Sequence, residues 1–176
     1  MRSSVVNTRD IPKEGRDFVI DDPAVWLDPI REFGMDVRIA EPVVFRATVL
    51  PEDDGFLVRG SISGLVGMPC DRCAEETLCR IGASFDEFEA FPAEEGQGDE
   101  LFSDSVLLPA EGGWVLDLGA LAWEEFAMAL PSKPLCREDC KGVCPVCGKN
   151  RNAGSCACAE AGGHPGLAVL RGLKIQ

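Results

Sequence analysis

Residues 140–148 read CKGVCPVCG, and thiols this closely spaced have three chemical uses: bridging, redox exchange or metal ligation. The chain carries nine cysteines: Cys70, Cys73, Cys79, Cys136, Cys140, Cys144, Cys147, Cys156 and Cys158. An odd number cannot pair completely, whereas two closed four-thiolate sites would use eight and leave one over. Cys144-Pro-Val-Cys147 with Gly148 behind it has the form of a metal knuckle. Two residues between thiolates let the chain curl around one ion, at a Zn–S distance of about 2.3 Å, and the glycine allows the positive φ that follows. Cys156-Ala-Cys158 comes eight residues later, so a pair, a short loop and a second pair make a first site of Cys144, Cys147, Cys156 and Cys158.

Two further pairs have ligand spacing, Cys70-Asp-Arg-Cys73 and Cys136-Arg-Glu-Asp-Cys140. Neither completes four-coordination alone. Together they would close a second site and staple the middle of the chain to its C-terminal part. A single site built from Cys140, Cys144, Cys147 and one of Cys156 or Cys158 is the competing arrangement. Cys79 lies in a strand pattern and reads as a buried apolar residue. Structural zinc, one or two ions, is the expected cofactor, because closed all-sulfur sites suit it. The spacings match neither ferredoxin run, a rubredoxin-like site would need a second Cys-x-x-Cys knuckle, and a thioredoxin-like role for Cys70 and Cys73 would need a βαβ setting.

The elements that must position these thiols follow from pattern. VRIAEPVVFRATVL (37–50) and FLVRGSISGLVGM (56–68) alternate in polarity around PEDDG, which reads as an antiparallel hairpin, with Pro42 marking an edge or bulge. LCRIGASFDEFEAF (78–91) reads as a third strand. DLGALAWEEFAMAL (117–130) carries a helical stripe of Leu118, Leu121, Ala122, Phe126 and Ala129, with Asp117 as N-cap and Pro131 beyond its end. Adjacent residues on a helix point different ways, so Glu124 and Glu125 read as one solvated and one buried side chain rather than a catalytic pair. The expected fold is α+β: a small antiparallel sheet, barrel-like or open, one packed helix and a cysteine-rich C-terminal subdomain. Residues 1–35 are expected as an N-terminal arm, 36–134 as the sheet-and-helix core with an acidic loop at 92–105, and 135–176 as the metal-binding segment. PGLAVLRGLK (165–174) is a short amphipathic stretch, and His164, between Gly163 and Pro165, reads as a loop residue.

Net charge is −13, but it is unevenly spread. Residues 81–132 hold twelve acids and no Lys or Arg, whereas 131–176 hold seven bases against three acids. Broad contact with a polyanion is disfavoured by the acidic middle, and contact through the C-terminal part alone is not. The expected contact face is Lys133, Arg137, Lys141, Lys149 and Arg151. The sequence has no run of 18 apolar residues, and MRSSVVNTRDIPKEGRDFV has neither an apolar h-region nor a small-residue cleavage site. No membrane span and a cytoplasmic location are therefore expected. No nucleophile–base pair, phosphate-gripping loop or dinucleotide fingerprint is present, so the residues describe a metal-stapled binding module, not an enzyme, with no small-molecule substrate.

The ordered set CDRC (70–73), DLGALAWEEFAMALPSKPLC (117–136), DCKGVCPVCGKNRN (139–152) with Cys-Ala-Cys, and HPGLAVLRGLK (164–174) resembles the YceD family of large-ribosomal-RNA accumulation proteins. The resemblance covers roughly residues 10–175. It implies a bacterial factor for accumulation of 23S rRNA and maturation of the large ribosomal subunit, partnered by rRNA precursor or a basic ribosomal protein. The pairs 70/73, 136/140 and 144/147 match family positions, as does Asn152, although Arg151 stands where the family has an apolar residue. No catalytic residue carries over. The alternative reading is a thiol- or metal-responsive regulator, in which thiolates near Arg72, Arg137 and Lys141 would release metal on oxidation.

Overall fold

Alternating polarity on either side of Asp53-Asp54 produces two long strands, β3 (Arg38–Glu52) and β4 (Gly55–Pro69), paired antiparallel from Glu52 opposite Gly55 outward. The computed structural model describes residues 4–91 and 105–158. β5 (Glu76–Ala90) pairs with β4 along its whole length, from Gly55 opposite Ala90 to Pro69 opposite Glu76. β2 (Arg16–Ile20) adds to β3 through Val49 to Phe45, giving an open sheet in the order β2-β3-β4-β5. The register slips between Ile39 and Val44, beyond the reach of β2. Pro42, which has no N–H to give a ladder, sits in that slip, as expected for a bulge on a locally free edge.

One face of this sheet forms the core. Val43, Phe45, Ala47 and Val49 on β3, Phe56, Val58, Ile62 and Val66 on β4, and Ile81 and Phe85 on β5 are all buried. Phe45 and Phe85 stack at 5.1 Å between ring centroids although β4 lies between their strands. Gly60 makes this possible, because a Cβ there would run into the Phe85 ring and the Arg46 carbonyl. Burial of these side chains is the main stabilising term, at roughly 1.5–3 kcal/mol for each large apolar residue.

Helix α2 (Leu118–Ala129) covers this face with Leu118, Leu121, Ala122 and Phe126. Asp117 caps it, accepting from the Gly119 and Ala120 amides at 3.1 and 3.0 Å. Glu124 is exposed and Glu125 buried, the division expected of adjacent helical acids. Loss of hydration, then the nearby Glu87 and Glu124 charges, push the Glu125 carboxyl above its ordinary range.

The α+β class and the open sheet stand as expected, but the single packed helix needs correction: the described residues contain two. In the segment set apart as an N-terminal arm the structure places β1 (Val5–Asn7), β2 and α1 (Ala24–Glu32), and Trp26 and Ile30 of α1 lie in the core. Trp26 packs on Phe126 of α2 at 5.5 Å. A small second sheet, also unanticipated, orders β1, β7 (Gly113–Asp117) and β6 (Leu107–Ala110) side by side and leads directly into α2. Among the described residues no helix is long and apolar enough to cross a membrane. Most of the acidic loop, the amphipathic stretch 165–174 and His164 lie outside the described residues.

Candidate metal centres

Two places in the fold gather four sulfurs each, and the first is built across the molecule. Cys70 follows directly on β4, and its amide donates to the Glu75 carbonyl at 2.9 Å and so closes the β4–β5 loop. Within that loop the Ala74 amide returns to the Cys70 carbonyl at 2.8 Å, curling Cys70 and Cys73 toward one point. After α2 the chain passes the buried Pro134, whose carbonyl takes the Asp71 amide at 2.9 Å. That bond brings Cys136 and Cys140 over the loop. Cys70 Sγ lies 3.8 Å from Cys140 Sγ, and Cys73 Sγ lies 3.7 Å from Cys136 Sγ. All four sulfurs are within 4.8 Å of one another. A tetrahedron with metal–sulfur bonds of about 2.3 Å has edges of about 3.8 Å, whereas a disulfide needs about 2.05 Å. The spacing fits an ion and not a bridge, and all nine cysteines are free thiols.

Asn152 locks this first centre. Its side-chain amide donates to Cys140 Sγ at 3.2 Å, while its oxygen accepts from the Lys141 amide at 2.8 Å and from Arg137 at 2.7 Å. Arg72 reaches the Glu138 and Cys140 carbonyls at 2.9 and 3.0 Å. Partners of this kind orient ligands and tune their basicity. Sequence reasoning placed Asn152 in a family motif but gave it no role. The signal was there in its type, since a side chain with both donor and acceptor is what a loop with orphaned amides and a thiolate requires.

The second centre is local. The Gly148 amide returns to the Cys144 carbonyl at 2.8 Å, and the Cys144 amide donates to the Lys149 carbonyl at 2.8 Å. This repeats the first knuckle's geometry, with Gly148 at φ +71° where the first has Ala74 at φ +60°. Cys156 and Cys158 come back over the knuckle, tied through Lys149 Nζ to the Ser155 carbonyl at 3.0 Å. The sulfurs of Cys144, Cys147, Cys156 and Cys158 also lie within 4.8 Å of one another. The two centres differ in wetting. In the first, three of four cysteines are buried and only Cys136 is exposed; in the second only Cys144 is buried, and Cys147 is exposed.

Proton affinities within each group diverge. The Cys136 amide holds the Cys70 sulfur as an anion, lowering its pKa to about 6, and the Cys147 amide does the same for Cys144, also to about 6. Asn152 lowers Cys140. Lost hydration and the neighbouring sulfurs push Cys136 up to about 12, and the Cys147 sulfur followed by lost hydration pushes Cys158 up to about 12. Four clustered thiols cannot all ionise by themselves. A divalent cation at the centre removes that conflict, which is why this donor set suits one.

The structure thus gathers the eight expected cysteines in the two expected sets, and Cys140 groups with Cys70, Cys73 and Cys136 rather than with Cys144 and Cys147. Cys79 stands apart on β5, opposite Val66 and packed against the core. Lys133, Arg137, Lys141, Lys149 and Arg151 are all exposed. Arg137 also pairs with Asp139 at 3.4 Å, and the Arg151 amide donates to the Gly142 carbonyl at 2.9 Å.

An open antiparallel α+β scaffold carrying two four-cysteine groups, each able to hold a metal ion, defines the class of protein. Residues 58–174 match the family described as large ribosomal RNA subunit accumulation protein YceD, and the chain belongs to that family. It is 30% identical over 99 residues to uncharacterized proteins of Mycobacterium bovis and Mycobacterium tuberculosis. Those matches cover 54% of this chain and 44% of each relative, so the alignment spans less than half of their length. No solved structure matches the chain.

Proposed function

We propose that the protein is a non-enzymatic factor supporting accumulation of large-subunit rRNA, with two structural zinc ions holding a rigid docking surface. The observation that carries the reading is the pair of four-sulfur groups at tetrahedral spacing inside the family-matched region. Cys70, Cys73, Cys136 and Cys140 would hold one ion, and Cys144, Cys147, Cys156 and Cys158 the other. Zinc held this way would supply rigidity and no chemistry of turnover, because four protein thiolates leave no open coordination position. The loops so fixed display Lys133, Arg137, Lys141, Lys149 and Arg151 to solvent. On a chain of net charge −13 these five exposed cations would offer the local positive charge suited to the phosphates of an rRNA precursor. The acidic remainder keeps such contact confined to that face.

Depletion of the protein is expected to lower the yield of large subunits in gradient profiles. Charge reversal of the five cations, with both metal ions retained, is expected to abolish co-sedimentation with large-subunit precursors. Unchanged co-sedimentation would overturn the RNA face and leave a basic ribosomal protein, gripped by the acidic side, as the partner.

A further inference from the structure

β5 is an edge strand of 15 residues, and among the described residues nothing pairs with its outer side. Long bare edges recruit other strands, and proteins usually blunt them with proline, lysine or bulges. β5 contains no proline and no lysine, and its ladder to β4 runs from Glu76 to Ala90 without a register break. Among the described residues its backbone N–H and C=O groups on the outer side are therefore an unspent ladder.

The side chains of that edge are complementary to themselves. Ala83 is the midpoint of β5. Residues equidistant from it on the face away from the core form three sets: Gly82 with Ser84, Arg80 with Asp86, and Leu78 with Phe88. The innermost set is small, the next is oppositely charged, and the outermost is apolar. Leu78 and Phe88 are large hydrophobic residues left 57% and 46% exposed. Asp86 accepts from Arg59 through Oδ2 at 2.8 Å, and its Oδ1 takes no hydrogen bond among the described residues. Arg80 is exposed and makes no ion pair or hydrogen bond among the described residues.

We infer that β5 pairs antiparallel with β5 of a second copy about a twofold axis through Ala83, making one continuous eight-stranded sheet. In this register the strands overlap end to end, Glu76 opposite Ala90. Arg80 of each copy faces Asp86 of the other, extending the Arg59–Asp86 pair into a three-member charge ladder across the junction. Leu78 covers Phe88 of the second copy. A slip of two residues either way sets Arg80 against Ser84 or Phe88, leaves Asp86 without its cation and shortens the overlap. The pairing that maximises backbone hydrogen bonds is thus the one that satisfies the side chains, which is the agreement between levels that fixes register. The interface is isologous, so it closes at two copies. This inference is independent of the ribosomal reading above.

Sedimentation velocity on the full-length, metal-bound protein over a concentration series tests it. The wild type is expected to sediment as a dimer. Arg80→Asp makes the facing pair Asp–Asp, and Asp86→Arg makes it Arg–Arg, so each variant alone is expected to weaken self-association by at least about tenfold. Mixed in equal amounts, the two variants recreate both opposite-charge pairs and are expected to restore the dimer as a heterodimer. Ser84→Lys, exposed beside the axis and touching no core residue, serves as a second disruptor whose fold is checked by near-ultraviolet circular dichroism. A wild type that stays monomeric throughout, single variants that dimerise as well as the wild type, or a mixture that fails to recover would each overturn the pairing. So would capture of a strand from a different protein by monomers in place of a second copy.

Discussion

The two four-sulfur groups share a knuckle but differ in what they join. The first gathers Cys70 and Cys73 from the β4–β5 loop with Cys136 and Cys140 from the segment after α2, more than 60 residues away in sequence. The second takes all its sulfurs from residues 144–158. Closing a long loop removes more conformational freedom from the unfolded chain than closing a short one. The first centre is also mostly buried and has Asn152 against its sulfur, whereas the second is wetter and lies at the margin of the described fold. The difference teaches that one motif can act as a keystone or as a clip, depending on where its ligands come from.

Four substitutions sharpen that contrast. The largest effect is expected from Cys140→Ser, which should cost one ion and on the order of 2–5 kcal/mol of global stability, because the sheet then loses its tie to the C-terminal loops. Cys147→Ser should also cost one ion but move the thermal midpoint of the sheet-and-helix core by less than about 1 kcal/mol equivalent. Equal destabilisation by the two, measured by thermal melts with metal counts on the same samples, would erase the distinction between keystone and clip. Next in size is Asn152→Ala. Loss of the N–H···S bond to Cys140 should weaken metal retention at the first centre by about 10–100-fold in chelator competition, with the second centre unaffected. The smallest effect is expected from Ala74→Gly. Ala74 holds φ +60° at the knuckle position where the second centre has Gly148, so glycine should raise stability by about 0.5–1 kcal/mol in a denaturant titration. A loss of stability there would mean that the two knuckles are not equivalent.

Much of this arrangement was legible before any coordinates. The Cys-x-x-Cys spacings announced both knuckles, and Asp117 with the Leu118–Phe126 stripe announced the helix that returns the chain over the sheet. The partnership of 70/73 with 136/140 was one of two readings in sequence, because spacing within a pair says nothing about which pairs meet. In the structure the Asp71–Pro134 backbone bond accompanies the first grouping, and backbone bonds of that kind leave no trace in composition. The N-terminal elements were hidden for a different reason. DFVIDDPAVWLDPIREF interleaves acids and two prolines with its apolar residues, and Pro29 sits inside α1, where it removes one helical N–H. Tertiary burial of Trp26 and Ile30 outweighs that local cost. The small hairpin of β6 and β7 had its signal in Gly112-Gly113, with Gly112 at φ +77°, but strands of four and five residues are too short for alternation to register.

The central claim is that each centre holds one divalent ion and that the first cannot be emptied without loosening the fold. Elemental analysis of protein purified without added metal or chelator, paired with a thermal melt before and after exhaustive chelation, tests it most directly. Two zinc equivalents per chain and a melt that collapses when the second equivalent leaves are the predicted result. A protein that arrives without metal and melts at the same temperature with or without zinc would contradict it.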